Sequence, residues 1–130
     1  MSTIRTEIST KSPYYISKHR YLELKHFCLQ YPEWRKEANS INYFGSAGDG
    51  IKGPDVSKPV ERLSDRRSRC LKKMEMVEQC CMAADGEIFE WLLQSVTEGI
   101  AFRFLEAPCG RDYFYDRYRK FFWLLDRVRE

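Results

Sequence analysis

The sequence predicts an all-α protein, and three features of the chain support this fold class. No stretch alternates apolar and polar residues over the length of a β-strand. Segments free of Gly and Pro instead repeat apolar residues at steps of three, four and seven, the spacing of one helical face. The chain has 130 residues, 43% of them hydrophobic and 15% aromatic, enough for one domain with a packed core. We expect a helical N-terminal segment, a long central helix and a C-terminal helix-turn-helix-like unit of three helices.

The N-terminal part of the chain is predicted to be a polar arm followed by two helices. Residues 1–13 lack a periodic apolar pattern, so we expect a frayed terminus there. Residues 14–41 form the N-terminal helical segment, in which Ser17 can cap a first helix that runs to about Gln30. Pro32 suits the first position of a second helix, because the missing N–H would have no helical partner there.

The middle of the chain changes character at residue 42. Residues 42–59 contain four glycines and two prolines, a density that predicts a flexible loop without helix. Residues 60–84, which follow Pro59, contain neither Gly nor Pro. This segment predicts a helix about 35–40 Å long. Its predicted apolar face, interrupted by Arg67, consists of Val60, Leu63, Cys70, Leu71, Met74, Val77, Cys81 and Met82.

Residues 86–130 are predicted to form the helix-turn-helix-like unit. The first helix spans about 87–98 and the second, which is short, about 100–106. A turn follows at 107–110, and the third helix runs from Asp112, its predicted N-cap, to the C-terminus. A short helix, a turn containing Gly and a longer helix are the layout of a helix-turn-helix DNA reader.

The third of these helices carries the clearest functional pattern in the sequence. Its apolar side consists of Phe114, Tyr118, Phe121, Leu125 and Val128, with Phe122 at the margin. The opposite side is basic and aromatic, although such a face is also common on helices that are merely solvated. In a helix-turn-helix, the N-terminal half of this helix reads bases in the major groove while neighbouring cations bind phosphates. We therefore predict base contacts by Tyr113, Asp116, Arg117 and Lys120, phosphate contacts by Arg103 and Arg111, and partner contacts by Trp123 and Arg127.

The cysteine and histidine pattern gives no sign of an enzyme, a metal site or a cofactor. There are five cysteines without a C-x-x-C pair, and neither histidine has zinc-ligand spacing to a cysteine pair. A phosphate-binding Gly-rich loop and the partners of a histidine-based triad are also missing from the sequence. Apolar runs fall far short of the roughly 20 residues of a membrane helix, and no secretory signal is evident. We expect a cytoplasmic, non-enzymatic protein whose reduced thiols serve as small core residues.

The net charge is only +3, but the charges are unevenly distributed. Residues 85–100 hold four acids and no base, whereas residues 60–84 hold six Lys or Arg against four acids. We favour a solvated face for the basic helix at 60–84. The alternatives are a homodimer seam and a ridge that faces phosphates.

Three segments of the chain resemble a family of small proteins of phages and prophages of Gram-positive gut bacteria. They are YYISKHRYLELKHFCLQYPEW at 14–34, KMEMVEQCCMAAD at 73–85 and VTEGIAFRFLEAPCGRDYFYDRYRKFFWLL at 96–125. The C-terminal half of that family is similar to the sigma-factor region 4-type helix-turn-helix of late-gene transcription regulators of the ArpU and RinA kind. The resemblance implies a reading helix from Arg111 to Leu125, binding of double-stranded DNA and assistance to host RNA polymerase in the bacterial cytoplasm.

The chain departs from that family before the turn. The relatives carry several more residues between their FLE-like helix and the Pro-Cys-Gly turn, whereas here Ala107 leads directly into Pro108. A shortened turn changes the angle between the two helices. The alternative function is therefore a phage protein that binds and inhibits or modulates a host nucleic-acid enzyme, such as a CRISPR effector or RNA polymerase. A third, weaker alternative is an accessory for packaging or virion assembly.

Overall fold

The computed structural model describes residues 12–47 and 57–129, with side chains for 12–40 and 62–129. Within these ranges the protein is all-helical, as predicted, and contains no β-strand. Five α-helices and one short 3-10 helix follow one another in the described residues. They are α1 (Lys18–Leu29), α2 (Tyr31–Ala47), α3 (Ser57–Ala84), α4 (Phe89–Glu98), the 3-10 helix (Phe102–Phe104) and α5 (Arg111–Val128).

The start of the first helix is confirmed at Ser17. Its backbone is extended, at φ −66° and ψ 155°, and its side chain accepts a hydrogen bond from the amide of Arg20 at 3.4 Å. Residues 12–13 of the predicted frayed terminus form a turn, in which the amide of Tyr14 donates to Ser12 Oγ at 3.1 Å, while residues 1–11 lie outside the described ranges. Only Gln30 separates α1 from α2.

The predicted loop at 42–59 is wrong at both of its ends. The second helix continues through residues 42–47, and α3 begins at Ser57, so helix replaces loop at 57–59 as well. The long antiparallel contact between α2 and α3 is the most extensive helix pairing among the described elements. Tertiary packing of this kind offsets the cost of about 1 kcal/mol for a glycine inside a helix. Residues 48–56 lie outside the described part of the chain.

The core-facing side of α3 agrees only partly with the predicted apolar face. Cys70, Val77 and Cys81 are buried, as the spacing predicts. Leu71 and Met82 were also assigned to that face, but they are 37% and 53% exposed. The buried stripe also includes Cys80 and Ala84, which share the helix side of Val77 at steps of three and seven.

The last helix, α5, lies at the centre of the core. Its predicted apolar side is confirmed for Phe114, Tyr118, Phe121, Phe122 and Leu125, all buried. Val128 is the exception at 57% exposure, because the helix ends there beside an open groove. The C-terminal end of α5 is joined to α1 by an ion pair in which Arg20 Nε donates to Asp126 Oδ1 at 2.6 Å.

The segment between α4 and α5 differs from the predicted helix-turn-helix. The second predicted helix, at 100–106, is reduced to the three-residue 3-10 helix. This segment lies between two residues with a left-handed backbone, Gly99 at φ 69° and Glu106 at φ 56°. Phe102 is half-buried, and its ring centre lies 5.2 Å from that of Phe114, so this segment packs on α5 through an aromatic contact.

The start of α5 also differs from the prediction. Gly110 is the N-cap, with φ −75° and ψ 162°, and it offers no side-chain hydrogen bond. The predicted N-cap, Asp112, lies instead inside the first turn of the helix. Its carboxylate there is favoured by the positive end of the helix dipole.

Candidate nucleic-acid interface

The N-terminal end of α5 forms a polar cluster, the Asp85 cluster, with the residue that follows α3. The Tyr113 hydroxyl donates a hydrogen bond to Asp85 Oδ2. Arg117 Nε lies 3.6 Å from the same oxygen and 3.8 Å from Asp116 Oδ2. The Arg117 guanidinium also lies over the Tyr113 ring, 4.9 Å from its centroid. Three of the four predicted base-reading residues are thus brought together, but they face an acid of their own chain.

Asp85 is the functional residue that sequence reasoning missed. Its Oδ1 accepts a hydrogen bond from the amide of Glu87 at 2.9 Å, so the same carboxylate shapes the turn into α4. Burial raises the pKa of this carboxyl, but the hydrogen bonds from Tyr113 and the Glu87 amide, together with Arg117, lower it below its ordinary value. An Asp followed by Gly between two helices is a signal for this capping role. Nothing in the sequence indicates that Tyr113 and Arg117 share it.

The two predicted phosphate-contacting residues are both exposed, and each lies over an aromatic ring. Arg103 lies 4.8 Å from the ring centroid of Phe104, which is itself 68% exposed. Arg111 lies 5.6 Å from the ring centroid of Tyr115. A guanidinium held against a ring keeps its N–H donors directed outward with less freedom to lose on binding.

Lys120, the fourth predicted base-reading residue, lies on the outer side of α5 next to Arg119. Both side chains are half-buried, and no acid of the described ranges forms an ion pair with either of them. The acid Asp126, further along the helix, is occupied by Arg20. These cations therefore keep their charge available to a polyanion.

The predicted partner contacts at Trp123 and Arg127 are engaged within the chain. The Trp123 ring is half-buried and packs edge-to-face with Tyr14, at a centroid distance of 5.8 Å. The Arg127 guanidinium lies 3.8 Å from the centre of the Trp123 ring. Tyr14 thus covers part of the outer side of α5, and Arg127 remains exposed beside Trp123.

The remaining features of the described residues are their potential metal ligands, one groove and the apolar character of the helices. No group of three or more His, Cys, Asp or Glu in this part of the chain is placed to hold a metal ion. A shallow groove of about 410 Å³ between α3 and α5 is lined mainly by aliphatic atoms, among them those of Met76, Leu124 and Val128. None of the described helices combines the length and the apolar character needed to cross a bilayer.

Comparison of the chain with protein-family models, with curated proteins and with solved structures finds no match.

Proposed function

We propose that this protein is a non-enzymatic regulator of transcription that binds double-stranded DNA in the cytoplasm of a phage host. The observation that carries this proposal is the set of cations on α5 and the segment before it. Arg103 is exposed before α5 and Arg111 at its first residue, and Arg119 and Lys120 lie further along the helix without an acid partner in the described residues. Such cations attract the phosphate backbone by releasing its bound counterions.

The Asp85 cluster determines how much of this binding depends on the base sequence. Phosphate contacts by Arg111 and Lys120 need no change in the fold, and they carry no sequence information. Base contacts by Tyr113 and Arg117 require both side chains to leave Asp85. We infer that binding is mainly electrostatic, with base reading added only where the DNA competes with that carboxylate.

The test is a titration of duplex fragments, taken from the genome that encodes the chain, at about 50 and 200 mM salt. The proposal expects affinity to fall steeply with salt, and Lys120→Ala to lower the slope of log K against log salt by about one. Lys36→Ala is the matched control, because Lys36 is an exposed lysine on α2. An unchanged slope for Lys120→Ala, or no wild-type binding at either salt, contradicts the proposal.

A second candidate function is favoured by the short segment between α4 and α5. A reader whose first helix is a three-residue 3-10 turn lacks the element that crosses the DNA backbone. The same exposed arginines then suit a protein surface, such as that of host RNA polymerase or a CRISPR effector. This alternative expects Lys120→Ala to weaken binding to the purified enzyme while leaving duplex DNA unaffected.

A further inference from the structure

A second group of basic residues lies on α3. Arg62, Arg66, Arg69 and Lys73 follow one another at intervals of four, three and four positions, and all four are exposed. This spacing places them on one side of the helix, over about 16 Å of its length. We call them the α3 stripe.

The α3 stripe is held in place by the α2–α3 pairing. Arg66 forms an ion pair with Glu37 of α2, and Glu37 also accepts a hydrogen bond from the buried Cys70 thiol at 3.4 Å. The Lys73 ammonium lies 5.7 Å from the ring centre of Trp34, a core residue. Two of the four cations are thereby positioned by the fold. For Arg62 and Arg69, no acid of the described residues lies within ion-pair distance.

The composition of the α3 stripe favours a polyanion over a protein surface. Protein interfaces centre on buried aromatic or aliphatic anchors, and the stripe contains none. The exposed apolar residue within this stretch, Leu71, lies about 170° around the helix from the stripe. A DNA strand carries one charge per 3.4 Å along the axis, so about five phosphates lie along a length of 16 Å.

We propose that the α3 stripe is a second contact with the phosphate backbone of double-stranded DNA. This inference rests on the proposed function, because it assigns a further binding surface to the same ligand. The stripe belongs to a long helix packed on its neighbour, so its backbone is already ordered before binding. It also supplies phosphate contacts that do not require the Asp85 cluster to open.

The experiment compares two double variants of the full chain that remove the same charge. Arg62→Gln with Arg69→Gln alters the stripe and leaves the Arg66–Glu37 pair intact. Lys25→Gln with Lys36→Gln alters α1 and α2 as the control. We expect the stripe variant to bind duplex DNA about tenfold or more weakly at 50 mM salt, and to lower the slope of log K against log salt by about 1.8, since each phosphate contact contributes about 0.9. The control variant should retain the wild-type slope, and circular dichroism should show both to be folded.

The outcomes separate this inference from the proposed function. A wild-type slope in the stripe variant, together with a reduced slope in Lys120→Ala, overturns the α3 contact and leaves DNA binding by α5 in place. Equal losses in the stripe and control variants also overturn it, because they reflect net charge alone. If the wild-type protein binds no duplex DNA, the proposed function fails first. If the wild-type protein has no affinity for DNA and the stripe variant loses binding to an acidic protein, the stripe contacts that protein instead.

Discussion

The hydroxyl of Tyr113 donates a hydrogen bond to Asp85, which joins the first turn of α5 to the residue that follows α3. Asp85 also accepts from the amide of Glu87, so one carboxylate organises the turn into α4 as well. Arg117 completes the arrangement at 3.6 Å. Tyr113 and Arg117, the proposed base-reading residues, are thus also part of the contacts that fix three helices together. Under the proposed function, DNA binding and folding therefore compete for the same groups.

The first prediction concerns the stability that Asp85 provides. Asp85→Asn should lower the free energy of unfolding at pH 7 by about 1–3 kcal/mol, because charge-assisted hydrogen bonds are lost. The pKa of this carboxyl is depressed in the folded protein, so its contribution is complete above the unfolded pKa of about 3.9 and is lost as the pH falls through the folded pKa. Urea unfolding at pH 7 and at about pH 2.5 measures the difference between variant and wild type. A difference that stays constant between these pH values would show that ionisation of Asp85 is not its source.

The second prediction concerns the affinity for DNA. Asp85→Asn removes the negative charge beside Arg117 and weakens its hold on Tyr113, so duplex binding should tighten by a few-fold, about three to ten. Glu87→Gln is the control, because it removes an equal charge two residues away and keeps the backbone amide that Asp85 binds. The measurement is the same salt titration of duplex fragments. Equal tightening in both variants would mean that net charge alone is responsible.

Local signals in the sequence were sufficient for most of the fold. Ser17 followed by an apolar helical pattern fixes the start of α1, and its side chain caps the helix as predicted. The apolar face of α5 is equally local, since Phe114, Phe121 and Leu125 share one side by spacing alone. The presence and position of a helix follow from such patterns, because the patterns do not depend on the neighbouring elements.

The parts that were not predicted depend on contacts between distant residues. The 3-10 turn before α5 occurs together with packing of Phe102 on Phe114 and a left-handed backbone at Glu106, and neither is encoded by periodicity. The Asp85–Tyr113 hydrogen bond spans 28 positions, so only the assembled fold reveals that a predicted base-reading residue is occupied. The sequence therefore predicts which residues lie on the outer side of α5, but not that Tyr113 and Arg117 contact Asp85.

The third prediction concerns the reactivity of the cysteines. Cys109 is half-exposed, whereas the other four cysteines are buried. Burial raises the pKa of the Cys80 thiol to about 11 and that of Cys81 well above its ordinary value, which keeps both unreactive near neutral pH. Labelling of the native protein with a maleimide at pH 8 should therefore give one fast site, which Cys109→Ser removes. Fast labelling of two or more thiols would contradict the packing described for α1 and α3.

The same experiment gives a second readout of Asp85. Burial and the Asp85 carboxylate both raise the pKa of the Cys109 thiol above its ordinary value. Asp85→Asn should therefore speed the labelling of Cys109, since a larger fraction of the thiol is then ionised. Glu87→Gln should leave the rate closer to that of the wild type.

The fourth prediction tests the buried contact between α1 and α5. The hydroxyls of Tyr21 and Tyr118 lie 2.8 Å apart, and both side chains are at least nine-tenths buried. Tyr118→Phe removes this hydrogen bond inside the core and should lower the free energy of unfolding by about 1–2 kcal/mol. Tyr115→Phe is the control, because Tyr115 is half-buried and its hydroxyl forms no hydrogen bond among the described residues. Equal losses in urea unfolding would assign the effect to the removal of a hydroxyl as such rather than to the hydrogen bond with Tyr21.

The fifth prediction concerns Gly99 and Glu106, the two residues with a left-handed backbone at the ends of the 3-10 segment. Glu106 has φ 56°, a conformation that costs a residue with a Cβ about 1 kcal/mol and costs glycine nothing. Glu106→Gly should therefore stabilise the protein by up to about 1 kcal/mol, less the entropy that glycine gains on unfolding. Gly99→Ala should do the reverse, by about 1 kcal/mol. The added Cβ would meet Leu29 at an ordinary 3.6 Å, so the cost there is conformational rather than steric. Urea unfolding of both variants checks the pair, and destabilisation by Glu106→Gly would mean that this residue does not adopt the left-handed conformation.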